Sequence, residues 1–156
     1  NALRYGFQAA NDEATKKALL LQGCAFVPMF RARLTRKAAN SRIDDVTPLA
    51  IQRPSGAIEE ILSDISRDRM GAARKVRRYL SSGGSVEGLM NAARRLIFLK
   101  GDNAHDYKFS AAVLEDYFNV SPAWRAQFLA TSVFNLRGSG DRDNALVART
   151  RAALKA

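Results

Sequence analysis

Apolar positions along this chain return every three or four residues, the period of a helix with one face turned inward. The first such run takes Ala14, Ala18, Leu21 and Ala25. Asn11 precedes it as an N-cap, and Asp12 and Glu13 place negative charge in a first turn, where the helix dipole favours it. Pro28 lacks an N–H and clashes with the preceding turn, so it is expected to kink or break this helix. A second piece over 29–39 would then carry Arg31, Arg33, Arg36 and Lys37. Residues 40–56 read as a long connection in which Pro48 and Pro54 oppose helix. A stretch of that length is unusual inside a domain, which points to a short helical turn or a functional role.

Ser55 is the expected cap of the next helix. Its stripe of Ile58, Ile61, Leu62 and Ile65 continues through Ala72, Val76 and Leu80, with Gly71 as the place where the segment would divide. Ser81 to Gly84 end it. Ser85 starts another helix, with Val86, Leu89, Met90, Ala93, Leu96 and Ile97 on one face, and Gly101 stops it. Helix resumes near His105 or Asp106 and runs to Phe118, burying Phe109, Val113, Leu114 and Tyr117. Ser121 and Pro122 are an N-cap and first-turn pair, opening a helix that carries Trp124, Phe128, Leu129, Val133 and Leu136 and ends at Gly138. Asp143 is read as the cap of a last helix through Leu146, Val147 and Leu154. The expectation is an all-α fold of about six helices, in a bundle or an orthogonal array, within a single domain over 1–156.

The last four helices hold a faint repeat. Leu99-Lys100-Gly101 and Leu136-Arg137-Gly138 lie 37 residues apart, and at the same offset Asp106 matches Asp143, Phe109 matches Leu146, Ala111 matches Ala148 and Tyr117 meets Leu154. Each unit would be a helix, a glycine stop, an acidic cap and a second helix, the logic of two stacked helical hairpins. Any two glycine-stopped helices would give much the same pattern. The aromatic residues Tyr117, Phe118, Trp124, Phe128 and Phe134 follow helical spacing and read as core, with a groove for an apolar ligand or partner helix as the alternative.

Composition sharpens this picture. With 47% hydrophobic residues among 156, the chain can bury a real core. Its apolar set is rich in Ala and Leu, which favour helix. The longest apolar stretch, from Ala18 to Phe30, is broken by Gln22, Gly23 and Pro28 and falls short of the roughly 20 residues a bilayer requires. No signal peptide is visible, and a soluble protein is expected, with the cytoplasm favoured over other compartments. Cys24 is the single cysteine, so an internal disulfide is impossible. Because the chain opens on Asn1, upstream sequence is expected, and the domain is read as open to being a fragment of a longer chain.

Charge adds a candidate function. The net charge is +10, from 25 basic and 15 acidic residues, and arginine dominates the basic set. A guanidinium grips phosphate or carboxylate with two parallel hydrogen bonds. Arg74, Lys75, Arg77 and Arg78 cluster on one helix, and Arg31, Arg33, Arg36 and Lys37 form a second group. Both ends of the chain are basic while its middle is near neutral. If the ends converge, one basic face would attract nucleic acid, an acidic protein assembly or an anionic membrane surface. Against this, Glu60, Asp64 and Asp68 recur every four residues beside Arg67, Arg69 and Arg74, as on an ordinary ion-paired face.

The same residues narrow the chemistry. One histidine and one cysteine cannot supply a four-ligand structural zinc site or the paired histidines of a di-iron bundle. Phosphate-binding glycine loops, His-Glu-x-x-His and Gly-x-Ser-x-Gly are absent. The most polar cluster surrounds the lone histidine, in Asp102-Asn103-Ala104-His105-Asp106-Tyr107-Lys108. His105 could serve there as a general base or an axial haem ligand, oriented by Asp106 or Asp102. The plainer reading is an interhelical turn capped by Asp106. The function expected from sequence is a non-catalytic binding or scaffold module with a basic surface for an anionic partner. The alternative is an enzyme or cofactor-binding domain centred on His105.

Overall fold

The helical period is realised in eight α-helices among the described residues, with no strand, so the fold is all-α. The computed structural model describes residues 1–34 and 42–155. These fall into two compact units, Asn1–Arg42 and Ile43–Ala156. The division lies inside the connection read at 40–56.

The first unit is a helical hairpin of α1 (Ala2–Ala9) and α2 (Glu13–Leu34). Asp12 caps α2 by accepting the Thr15 N–H at 2.8 Å. Of the kink or break expected at Pro28, the break does not occur: α2 continues through it to Leu34. The N–H that Pro28 lacks would have served only the carbonyl of Cys24 one turn back, and the rest of the ladder survives. The helices cross at two glycines, where a side-chain carbon would still fit. A Cβ on Gly6 would stand 3.4 Å from a Leu19 methyl, and one on Gly23 would stand 4.0 Å from Leu3. Even so, no residue of α1 is buried, nor is any residue of α2 from Glu13 to Ala32.

The second unit has a true core. It begins with 3-10 turns at Ile43–Asp45 and Pro54–Gly56, so the long connection does hold short helical turns. Gly56, not Ser55, takes the cap position of α3 (Ala57–Ile65), because the Pro54–Gly56 turn runs straight into the helix. The next break comes earlier than Gly71. After α3 the chain turns at Ser66, and Asp68 caps α4 (Arg69–Ser81) by accepting the Gly71 N–H at 2.9 Å. Gly71 therefore sits in a first turn, where an added Cβ would meet the Asp68 carboxylate at 2.3 Å. Ser85 caps α5 (Val86–Lys100) as expected, accepting from Gly88. Then come α6 (Ala104–Asp116), α7 (Pro122–Ser132) and α8 (Ala145–Ala153). Short 3-10 turns extend α6 and α7 to Asn119 and Asn135.

Helix α4 lies at the centre, packed against α3 and α7, while α5 pairs with α6. The approach of α4 to α7 is close because small residues meet there: Ala72, Ala73 and Ala130 are fully buried. Around them Ile61, Ile65, Val76, Met90, Leu114, Leu129 and Val133 fill the interior. Each such side chain contributes about 1.5 to 3 kcal/mol by leaving water. The segment after α7 closes the fold over the C-terminus of α3. The Ser139 N–H donates to the Leu62 carbonyl at 2.8 Å, and the Gly140 N–H donates to Ser66 Oγ at 3.1 Å. Gly138 is required at this crossing, since a Cβ there would stand 2.1 Å from Ser66 Oγ and 2.5 Å from its backbone nitrogen.

Candidate functional site

The four bases of α4 do not act as one cluster. A helix turns about 100° per residue, so consecutive positions face different neighbours. Lys75 points at α3, with its ammonium 2.5 Å from Glu60 Oε1 and 2.6 Å from Asp64 Oδ2. Glu60 is buried and also accepts the backbone N–H groups of Gln52 and Arg53. The Lys75 hydrogen bond, aided by those amides, holds the Glu60 carboxyl at about 2, well below its ordinary 4.5. Burial works against the Lys75 ammonium, but Asp64 and Glu60 outweigh it and raise its pKa. This lysine is a structural tie between α3, α4 and the chain before α3, which withdraws it from the anion-binding set. The acidic ladder seen in the sequence signals such pairing, and its partners are Lys75 and the expected Arg67 rather than Arg69 or Arg74.

Arg74 donates from Nε to the Thr47 carbonyl at 3.2 Å, and its own carbonyl receives the Leu49 N–H. Arg77 is half-buried and lines a shallow groove of about 460 Å³ with Thr47, Trp124 and Gln127. Arg78 is exposed. Of the second basic group, Arg31 is exposed on α2; Arg36 and Lys37 lie outside the described residues, and only the backbone of Arg33 is described.

The polar cluster around His105 is organised by its neighbours. Asn103, not Asp106, caps α6, accepting from the His105 and Asp106 N–H groups at 2.9 and 3.2 Å. Asp106 instead reaches back to accept the Asp102 N–H at 3.1 Å. Arg137, 31 residues on, places Nη2 2.5 Å from Asp106 Oδ2 and 2.8 Å from Asp102 Oδ1. Burial pushes the Asp106 carboxyl up, but the Arg137 guanidinium prevails and holds it below the usual value; the same contact raises the Arg137 pKa. Tyr107 donates its hydroxyl to the Gly101 carbonyl at 2.9 Å. His105 and Lys108 are exposed in the first turns of the helix. Both carboxylates read as orienting the imidazole are thus held by a distant arginine. Among the described residues no group of three His, Cys, Asp or Glu could hold a metal ion.

The two stretches aligned at the 37-residue offset meet here, although among the described residues α7 and α8 do not pack on each other as α5 and α6 do, so the expected second hairpin is not formed. Lys100 and Arg137 occupy equivalent positions, as do Asp106 and Asp143. The ion pairs cross between copies: Arg137 holds Asp106, while Lys100 holds Asp143 at 3.0 Å and the Asp141 carbonyl. Asp143 also receives Arg151 at 2.7 Å, and with Lys100 first these cations lower its pKa. That use of Asp143 leaves the cap of α8 to Asn144, which accepts from Val147 at 3.0 Å. Asn144 also donates its amide to the carbonyls of Phe98 and Gly101. The two glycine-stop loops are therefore locked to one another.

The aromatic group divides. Tyr117 packs on the core beneath Arg125, whose guanidinium lies 5.7 Å from the ring centre. Phe128 is half-buried, and Phe118, Trp124 and Phe134 are exposed rather than core.

The exposed apolar side chains gather in the first unit, whose bases the sequence ranked second. Residues 1–42 hold eight basic and two acidic residues, against seventeen and thirteen in the second unit. On the same two helices Tyr5, Phe7, Leu20, Leu21, Phe26, Val27, Met29 and Phe30 are all exposed. Between α1 and α2 runs an apolar groove of about 380 Å³, lined by Leu3, Phe7, Leu19, Leu20, Cys24 and Val27 among others. A hydropathy scan of the sequence could have found this, had Ala18 to Phe30 been read as an exposed surface and not only as too short to span a bilayer.

This is an all-α chain whose second unit is a six-helix body with crossed loop pairs. No protein-family model, no curated protein and no solved structure matches it.

Proposed function

We propose that the protein is a non-catalytic binding module in which the helical body of the second unit is a scaffold and the hairpin of the first unit meets an anionic partner. One observation carries this reading: within residues 1–42 basic residues outnumber acidic ones four to one beside exposed apolar side chains. In the second unit Lys75, Lys100, Arg137, Arg151 and Arg67 are each matched to carboxylates. A surplus of fixed positive charge attracts anionic surfaces and speeds encounter with them. Arg77 and Arg78 offer a secondary contact on the body.

The test is affinity of the full chain for heparin, a model polyanion, across ionic strength. The expected result is binding that weakens steeply from low to high salt, because surface charges are screened within about 8 Å at physiological ionic strength. Replacing Lys17 and Arg31 by Gln should weaken it further. Salt-independent affinity, or none at low salt, would remove the support for an anionic partner.

A further inference from the structure

The apolar and basic residues of the first unit are arranged for one kind of surface. Around α2, Leu20 and Val27 line the groove toward α1, while exposed Leu21, Phe26, Met29 and Phe30 fall within about half of the circumference on the other side. An interfacial helix turns one apolar face of this kind toward the acyl layer. The uncharged stretch from Ala18 to Phe30 is flanked by Lys16 and Lys17 before it and Arg31 after it. Such cations let their alkyl stems lie along apolar surface while their heads reach phosphate. The stretch rises only about 20 Å, against about 30 Å of hydrocarbon in a bilayer. Consistent with that, among the described residues no helix is long and apolar enough to cross a membrane. Both acidic residues, Asp12 and Glu13, sit together at the hairpin turn; Asp12 is occupied as a cap and Glu13 pairs with Lys16 at 3.4 Å, which leaves Lys17 and Arg31 as the flanking cations for phosphate. Tyr5 and Phe7 on α1 are residues of the type that settle at the membrane–water boundary.

We infer that the α1–α2 hairpin is a peripheral membrane anchor that lies in the headgroup region of an anionic bilayer, its apolar side chains in the outer acyl layer and its cations on lipid phosphates. Charge complementarity selects this occupant. A second copy would oppose one strongly basic hairpin to another. A nucleic acid would neutralise the cations but leave the phenylalanines and leucines in water. Interfacial helices of this kind bind by the sum of apolar burial and attraction to anionic lipid. The inference rests on the proposed reading that the first unit meets an anionic partner, and goes beyond it by naming that partner.

Co-sedimentation of the full chain with vesicles tests it, using phosphatidylglycerol mixed with phosphatidylcholine, and phosphatidylcholine alone. The expected result is binding to the anionic vesicles and at least about tenfold weaker binding to the neutral ones. The pair Leu21→Gln and Phe26→Gln keeps every charge, and both side chains are exposed, so the variant should fold; it should lose about tenfold or more on anionic vesicles with an unchanged helical spectrum and thermal transition. Unchanged vesicle binding by that variant would overturn the inference. So would no vesicle binding by a chain that still binds heparin or duplex DNA in low salt, an outcome that leaves the broader reading standing. Salt-insensitive self-association abolished by the same pair, without vesicle binding, would assign the surface to a second copy and also overturn it. A chain that binds neither vesicles nor any polyanion would sink both.

Discussion

The two units of this chain solve opposite problems with the same kind of element. In Ile43–Ala156, helices surround side chains withdrawn from water, and three half-buried cations meet carboxylates: Lys75 with Glu60 and Asp64, Lys100 with Asp143, Arg137 with Asp106. In Asn1–Arg42, two helices cross at Gly6 and Gly23 yet none of their described side chains is buried, and bases far outnumber acids. Helix formation is therefore not what separates a scaffold from a contact surface. The difference lies in whether apolar area is buried within the unit. A two-helix pair gains too little burial to offset the ordering of its chain, which leaves its exposed residues available to another surface.

Substitutions can break or sharpen that contrast. The largest effect is expected from Lys75→Met. Removing the ammonium leaves two carboxylates one turn apart on the same face of α3, and loss of one partner of a buried pair costs about 3 to 5 kcal/mol. Urea unfolding of the second unit measures it; a loss below about 1 kcal/mol would show that water already relieves the triad. Next comes a matched pair of glycines. Gly138→Ala forces a methyl into Ser66 and the Leu62 carbonyl and should cost about 1 to 3 kcal/mol. Gly23→Ala meets only Leu3 at 4.0 Å and should be neutral or mildly stabilising, since alanine is the better helix former. Equal costs at both sites would erase the distinction between a closed and an open unit. Asn144→Ala removes the cap of α8 and its links to Phe98 and Gly101, with an expected loss of about 1 kcal/mol.

Acid gives a further separation. The folded Glu60 carboxyl titrates at about 2, below its ordinary 4.5. Its contribution to stability is therefore complete above pH 4.5 and disappears as pH falls from there toward 2. Asp106 and Asp143, also lowered, act in the same direction. Denaturant midpoints recorded from pH 6 to pH 2.5 should fall for the natural chain and fall less for Glu60→Gln. Parallel curves would mean that Glu60 is not held low in the folded protein.

Much of the scaffold was legible in the sequence because its signals are local. The 3.6-residue stripes place Ile61, Ile65, Val76, Met90 and Leu129 inside, and Ser85 and Ser121-Pro122 mark helix starts where they are found. Misreadings arose where a residue had two possible partners. Asp106 and Asp143 read as caps, but distant cations claim them and the neighbouring asparagines take the caps instead. Pro28 read as a kink or a break, and the break does not occur because the ladder on either side survives. The site was harder still. Four bases close in sequence suggested a patch on α4, yet helical rotation sends Lys75 to an acidic pair on the preceding helix. The hairpin was passed over because its apolar run is too short to cross a membrane, a criterion that says nothing about lying on one.

Hydrogen exchange along the full chain, alone and then with heparin or phosphatidylglycerol vesicles, tests the contrast between the units most directly. The account predicts fast exchange over α1 and α2 in the free chain, slow exchange over α3 to α7 in both states, and new protection confined to residues 1–34 when the anionic surface is added. Amides of α1 and α2 as protected in the free chain as those of α4, or protection gained in the second unit alone, would contradict it.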